Sequence, residues 1–503
     1  MGEEAATSLD ISLESLRRAV LVYRTKIHLQ PLPLFDLNGL AEYLAKAPSY
    51  LRWSFISLCW SFESTGHDLD SYAKASRQTV MELACEGTAT FDIIKSLCLL
   101  AMRDMAAGDE RRAWMTIGTA TRLQAFHGGI HADEEEHSRC YWSLFLLERA
   151  SCSHPWGLKD ITSSPQHPAS PSWPSPTPLN DNSDGVICLP AVDEGVEDLG
   201  IISYCITLVS IWGDVNSYLQ QVRSGRALKP WLSDSGYAQL SLSTFECDSK
   251  MALKHSLRNA YLQDRPPSDF VEYREYWTSW ILMQLTLHAI PAILNHPFIH
   301  FIVTKDQNHN PQSRLFLKQA TDQALFHSGW IAKLLSIVVN FQLDITNPLI
   351  GDLVAAVATV CWMFQFAQDT GVATQAKKDL EVCDQFLARL SSIWPHIAQK
   401  QKLLRELEVK VENSRSEGTG EVATITFKAT ILWSILHSSI APFSTTSREE
   451  EASVCLNIHS IPPLTEEHGV MNNVAHSELL PRDQSWGFDL FDEDFFQFTH
   501  NID

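Results

Sequence analysis

The chain has 503 residues, 45% apolar and 20% charged, a composition that fits a folded globular protein and excludes disorder throughout. Its 39 basic and 60 acidic residues leave a net charge of −21, so a phosphate backbone is repelled unless Lys and Arg gather on one face. Their densest places, Arg17-Arg18, Arg111-Arg112 and the spaced Lys400, Lys402, Arg405 and Lys410, read as solvated helix faces, and direct DNA binding by this chain is doubtful.

The opening MGEEAATSLDISLESL has no basic region and no apolar core, so it does not read as a secretory signal, and Ala6 stands where a myristoylation motif wants Ser or Thr. Residues 1–35 form an N-terminal segment ahead of one helical body over 36–441. Apolar spacing predicts helices near 12–28, 38–46, 50–64, 68–87, 91–107, 109–126 and 135–151, joined by short turns into antiparallel neighbours. Over 155–197 the pattern gives way to Pro, Ser and Asn, which cannot bury enough apolar area to order themselves, so a disordered surface insertion is expected.

Helices resume near 198–222, 236–263, 269–295, 312–341, 349–369, 373–391, 396–412 and 422–439, with Trp277, Trp280, Trp330, Trp362 and Trp394 supplying core surface. From Tyr276 to Thr304 no Asp, Glu, Lys or Arg occurs, and a bilayer needs only about 20 apolar residues. Gln284, His288, Asn295, His296 and His300 interrupt that stretch and would each need a partner in lipid, so a core helix and no membrane is expected. Eleven scattered cysteines, most on apolar helical faces, imply a reducing compartment. The fold expected is all-α: a large bundle-like body with the irregular insertion and a disordered acidic tail over 442–503.

The most specific stretch is 111–158. A first helix carries Ala113, Trp114, Ile117, Ala120 and Leu123, breaks at Gly128-Gly129, and is followed by a second that opens on Asp133-Glu134-Glu135-Glu136 and continues through Cys140, Trp142, Leu144, Phe145 and Arg149. Ala113, Trp114, Gly118, Ala120, Arg122, His131, Glu136, Trp142, Ser143, Phe145 and Arg149 together make a pattern that resembles the middle homology region of fungal zinc-cluster (Zn2Cys6) transcription regulators. Gly128-Gly129-Ile130 and Glu148 depart from it. Further similarity runs through Leu285 to His288, Leu294 to Ile299 and Asn347 to Val360, with Asn295-His296 replacing the family's arginine. The resemblance implies a helical regulatory domain acting on RNA polymerase II transcription, possible dimerisation, nuclear localisation, no cofactor and no enzymatic activity. Trp114, Gly118, Arg122, Trp142 and Arg149 are its motif residues.

The family reads DNA with six closely spaced cysteines that share two zinc ions, and no C-x2-C occurs in this chain. DNA targeting is then left to a dimer partner or to a missing N-terminal exon, or does not occur. His137, Cys140, Cys152 and His154 have a finger-like order, but Cys140 is needed on an apolar helix face, and His127 and His131 straddle a break, so no metal site is expected. No nucleophile elbow, phosphate loop, dinucleotide fingerprint or H-E-x-x-H is present, and no catalytic residue is nominated.

The last residues interleave Trp486, Phe488, Phe491, Phe495, Phe496 and Phe498 with Asp489, Asp492, Glu493 and Asp494. Carboxylates keep such aromatics solvated, the requirement of an acidic activation segment over 486–503 that meets a coactivator or the transcription machinery as a short helix, with Phe491, Phe495 and Phe498 on one side. The competing readings are a tail that docks on its own body, a helical ligand-sensing or scaffold protein, and an α-helical enzyme, which would need a D-D-x-x-D-like metal motif that is not present.

Overall fold

A computed structural model describes residues 11–63, 69–127, 134–151, 164–174, 197–262, 265–304, 311–367, 369–417, 424–437, 453–457 and 496–499. The fold is all-α. The first group of helices is α1 (Leu13–Val22), α2 (Leu40–Lys46), α3 (Ser49–Cys59), α4 (Leu69–Cys85), α5 (Phe91–Ala106), α6 (Glu110–His127) and α7 (Glu134–Ser151). They stack as expected of short connections: α3 against α4 and α5, α5 against α6 and α7. Thr90 starts α5 by accepting the Ile93 N–H on its hydroxyl, satisfying one of the donors that a helix end leaves free.

The second group is α8 (Ile201–Arg223), α9 (Gly236–Ser249), α10 (Pro267–Glu272), α11 (Arg274–Leu294), α12 (Pro297–Thr304), α13 (Pro311–Asn340), α14 (Pro348–Phe364), α15 (Thr370–Ser391), α16 (Pro395–Glu417) and α17 (Ala429–Leu436). Every residue of α14 is buried, and it packs on α11, α13, α15, α16 and α17. A helix apolar on nearly all sides has to be central, and this one is, its one charged residue Asp352 being paired with Lys400. Asn347 caps it through its side chain, and Pro348 takes the first helical position, where a missing N–H costs nothing. Gly351 lets α16 approach closely, since a Cβ there would lie 2.7 Å from Ile397 Cδ1.

The departures from the predicted boundaries have local causes. The element predicted near 236–263 ends at Ser249, where short 3-10 turns take over: Asn259 holds the Leu253 carbonyl and Arg265 the Ala260 carbonyl, so side chains replace the helical ladder. The one near 269–295 splits at Tyr273 into α10 and α11. The one near 422–439 begins as strand β1 (Thr424–Lys428), whose Thr-Ile-Thr-Phe run favours extended backbone.

Two parts of the region expected to lack regular structure do not follow that expectation. Strands β2 (Ser453–Asn457) and β3 (Phe496–Thr499) complete a three-stranded antiparallel sheet in the order β1-β2-β3. Phe427 stands opposite Val454 and Val454 opposite Phe498, while Ile425, Leu456 and Phe496 share the other row. Alternation of apolar and polar residues is the strand period, and V-x-L and F-x-F both have it. Phe496 and Phe498 therefore sit in a ladder and not on a helix, while Trp486, Phe488, Phe491 and Phe495 lie outside the described residues.

The insertion over 155–197 is irregular where described, yet residues 164–174 are stitched to the body. Ser138 and Trp142 both donate to the Gln166 carbonyl, at 2.6 and 3.0 Å, Ile202 N–H donates to Ser170 Oγ, and Arg265 donates to the Pro174 carbonyl. Its composition cannot order it from within, so donors on neighbouring helices do.

Candidate functional site

The motif residues converge where α7 meets α8. α7 opens on Glu134, Glu135 and Glu136, suited to the positive end of the helix dipole, and then buries Cys140, Tyr141, Leu144 and Leu147. Trp142 is buried, stacks edge-on with Phe145, and lies 4.6 Å from the His167 ring, so with its bond to Gln166 it pins the insertion to the helix. Arg149 is 1% exposed, donates to Asp214 at 3.1 Å and to Ser210 at 3.4 Å, and lies over the Phe145 ring. Its stem runs through a notch in α8: a Cβ on Gly213 would come 2.9 Å from Arg149 Cδ and 3.2 Å from its carbonyl oxygen.

The other motif residues divide. On α6, Trp114 is half-buried against the core, and Gly118 is half-buried with only Arg122 within reach of a Cβ. Arg122 is exposed. The motif thus has a buried anchor at Trp142 and Arg149 and an outward face at Arg122, flanked by exposed Met115 and Phe126 at helical spacing. Gly128, Gly129, His131 and Asp133 lie outside the described residues, as do Cys152 and His154. Gly213, Ser210 and Asp214 were not singled out in the sequence. Their signal, a Ser-x-x-Gly-Asp step interrupting an apolar helix face, is short and common.

Elsewhere among the described residues, chemistry-bearing side chains form clusters that are partly or fully buried. His255 Nδ1 meets the Tyr276 hydroxyl at 2.9 Å and its Nε2 meets Asp198 at 3.2 Å, an acid–imidazole–phenol chain. Burial pushes the Asp198 carboxyl up, but the hydrogen bonds from Lys254 and the Gly200 N–H outweigh it and hold it below the ordinary range. Tyr276 is 1% exposed and burial raises its phenol well above the ordinary value, so the group that such a chain would activate is sealed from substrate. Lys95 lies between the Phe35 and Tyr43 rings and pairs with Glu136. Lys400 pairs with Asp352 at 2.8 Å and donates to the His437 carbonyl, joining α16 to α14 and to the end of α17.

His137 packs between the rings of Phe91 and Tyr141 and Cys140 is fully buried, as an apolar role requires. Among the described residues no group of three or more His, Cys, Asp or Glu side chains is placed to hold a metal ion. One run, Arg274–Thr304, is long and apolar enough to cross a membrane by length and composition, and 72% of its most apolar window is buried inside the body. No protein-family model matches the chain, and no curated protein matches it.

Proposed function

We propose that this chain is a transcription regulator of the fungal zinc-cluster type, in which the helical body regulates and the C-terminal acidic-aromatic segment activates RNA polymerase II transcription. In this reading the protein is nuclear and non-enzymatic, DNA is reached through a dimer partner or another segment, and the tail contacts a coactivator. The observation that carries it is the junction of α7 and α8. Trp142 and Arg149, two residues of the family-like pattern, are there the residues that tie three chain segments together, which is the work expected of motif positions in a regulatory body without an active site. A net charge of −21 supports leaving DNA contact to a partner.

The test is a fusion of residues 442–503 to a heterologous DNA-binding domain. It should activate a reporter, and replacing Phe491, Phe495 and Phe496 with Ala should abolish the signal. A silent fusion in a host where other acidic segments work overturns the activator reading.

A further inference from the structure

The insertion holds hydroxyls in a pattern found nowhere else in the chain. Of 23 prolines, four follow a Ser or Thr, and all four lie within 164–178: Ser164-Pro165, Ser170-Pro171, Ser175-Pro176 and Thr177-Pro178. Proline forces the residue before it into extended backbone and has no N–H to lose on being taken into a cleft. A hydroxyl just ahead of proline is therefore what a proline-directed protein kinase can read. Ser175 and Thr177 lie outside the described residues, Ser164 is exposed, and Ser170 is half-buried.

Ser170 is also one of the points that hold segment 164–174 to the body. Its Oγ accepts the Ile202 N–H at 3.1 Å, at the start of α8, where Gly200 supplies no side-chain cap and the first turn has no acidic residue. Gly200 has a φ of 83°, and a Cβ there would lie 2.4 Å from Ser170 Oγ and 2.8 Å from Ser170 Cβ, so serine and glycine are fitted to each other. The same helix start already holds a carboxylate. Asp198 Oδ1 accepts the Gly200 N–H at 2.8 Å, and Asp198 is itself bonded to Lys254 and His255.

We infer that Ser170 is a phosphorylation site for a proline-directed kinase and that its phosphate releases segment 164–174 from α7 and α8. In the transfer Ser170 Oγ bonds to the γ-phosphorus of ATP, the bond to the β–γ bridging oxygen breaks, ADP leaves, and the hydroxyl proton passes to the kinase's base. A dianion then stands against Gly200, in a seat fitted to a bare hydroxyl and beside the Asp198 carboxylate, where like charges repel. The α8 dipole favours an anion, but Asp198 already takes that place and engages Lys254 and His255. Release bares Trp142, which the segment covers through the Gln166 carbonyl and the His167 ring. Because Ser170 is half-buried and bonded, the kinase takes it from the detached segment, so loosening the other holds speeds the transfer. The latch does not depend on the chain being a transcription regulator.

The full chain, treated with ATP and a purified proline-directed kinase of the mitogen-activated class, tests this by phosphopeptide mapping and amide hydrogen exchange. Ser170 should take up phosphate, and exchange over 164–174 and the first turn of α8 should then quicken about tenfold. Ser138→Ala removes one of the two donors to the Gln166 carbonyl and should speed transfer to Ser170 about fivefold, the worth of one neutral hydrogen bond. In Ser170→Ala, phosphate on Ser164 should leave the exchange of that variant as it was. Uptake at Ser164 without Ser170, or at none of the four steps, overturns the site. Phosphate on Ser170 with exchange unchanged or slowed overturns the release.

Discussion

Two regions of the body, α4 to α8 and α11 to α13, differ in the titratable groups they bury, while Lys400 and Asp352 form a further buried pair between α16 and α14. Across α4 to α8 buried charges come in pairs: Arg77 grips Asp104 at 2.6 and 2.8 Å, Arg103 meets Asp70, Lys95 meets Glu136, and Arg149 meets Asp214. In α11 to α13 the buried groups that respond to acid are histidines kept neutral. His296 donates from Nε2 to the Thr359 hydroxyl, which itself donates to the Ala356 carbonyl, and accepts the Phe298 N–H on Nδ1. His300 is fully buried among Tyr237 and Phe316. Paired charges fix helix to helix at a cost in desolvation, while neutral imidazoles avoid that cost but leave the region exposed to acid.

Acid gives the largest effect. Burial lowers His288, His296 and His300 to about 3 and His327 to about 4. Because the folded values lie below the unfolded one, the unfolded chain binds more protons as pH falls. The stability these groups contribute is complete above about pH 6.5 and is lost progressively below it, toward pH 3 to 4. At pH 5 each neutral histidine then costs about 2 kcal/mol, and a few together rival the whole stability of a domain. Denaturant unfolding between pH 7.5 and 5 should show a steep fall, reduced in His300→Leu. An unchanged slope in that variant would mean that His300 is already protonated or solvated.

On the charged side, the decisive pair is Arg149 with the glycine notch. Replacing Arg149 by Met removes one partner of Asp214, whose side chain is 32% exposed and can turn to water, so the loss should sit near the lower end for broken buried pairs, about 3 kcal/mol. Gly213→Leu places a Cβ 2.9 Å from Arg149 Cδ, with the rest of the side chain behind it, and should cost about as much, through overpacking. The double variant reads the coupling. If the two losses simply add, the notch and the guanidinium are not one device.

How much of this was legible follows from what periodicity encodes. The existence of nearly every helix was readable because a half-buried helix repeats its apolar residues at 3.6. The break at Tyr273 and the end of α9 at Ser249 were not, since they depend on Arg265 and Asn259 reaching carbonyls and on backbone turns that composition does not mark. Trp142 and Arg149 were readable as motif positions, but Gly213 and Asp214 were not: within α8 they are two residues among 23, and only the neighbour they face gives them meaning. Phe496 and Phe498 alternate at the strand period, yet a run of acids and aromatics read more easily as a solvated segment, because the pairing partner Ser453–Asn457 is about forty residues away.

Asp379 on α15 sharpens the comparison, because it is an acid treated as the histidines are. It is pushed up to about 6 by burial, against the hydrogen bond from Gln375 and the charges of Lys333 and Lys378. Its folded value lies above the unfolded one, so the folded state holds the proton longer, and stability from this group is complete below about pH 4 and lost as pH rises through 6. The shift alone corresponds to about 3 kcal/mol, and partial exposure trims this to about 1 to 2 kcal/mol at neutral pH. Asp379→Asn keeps an acceptor for Gln375, whose amide donates at 2.8 Å, and removes the charge. It should therefore stabilise the protein at pH 7.5 and do nothing at pH 3.5, while His300→Leu gives most at low pH. Opposite pH slopes in the two variants would show that burial tunes each group separately. Parallel slopes would mean that both report one global acid transition, in which case the contrast between buried charged pairs and buried neutral groups has no energetic content.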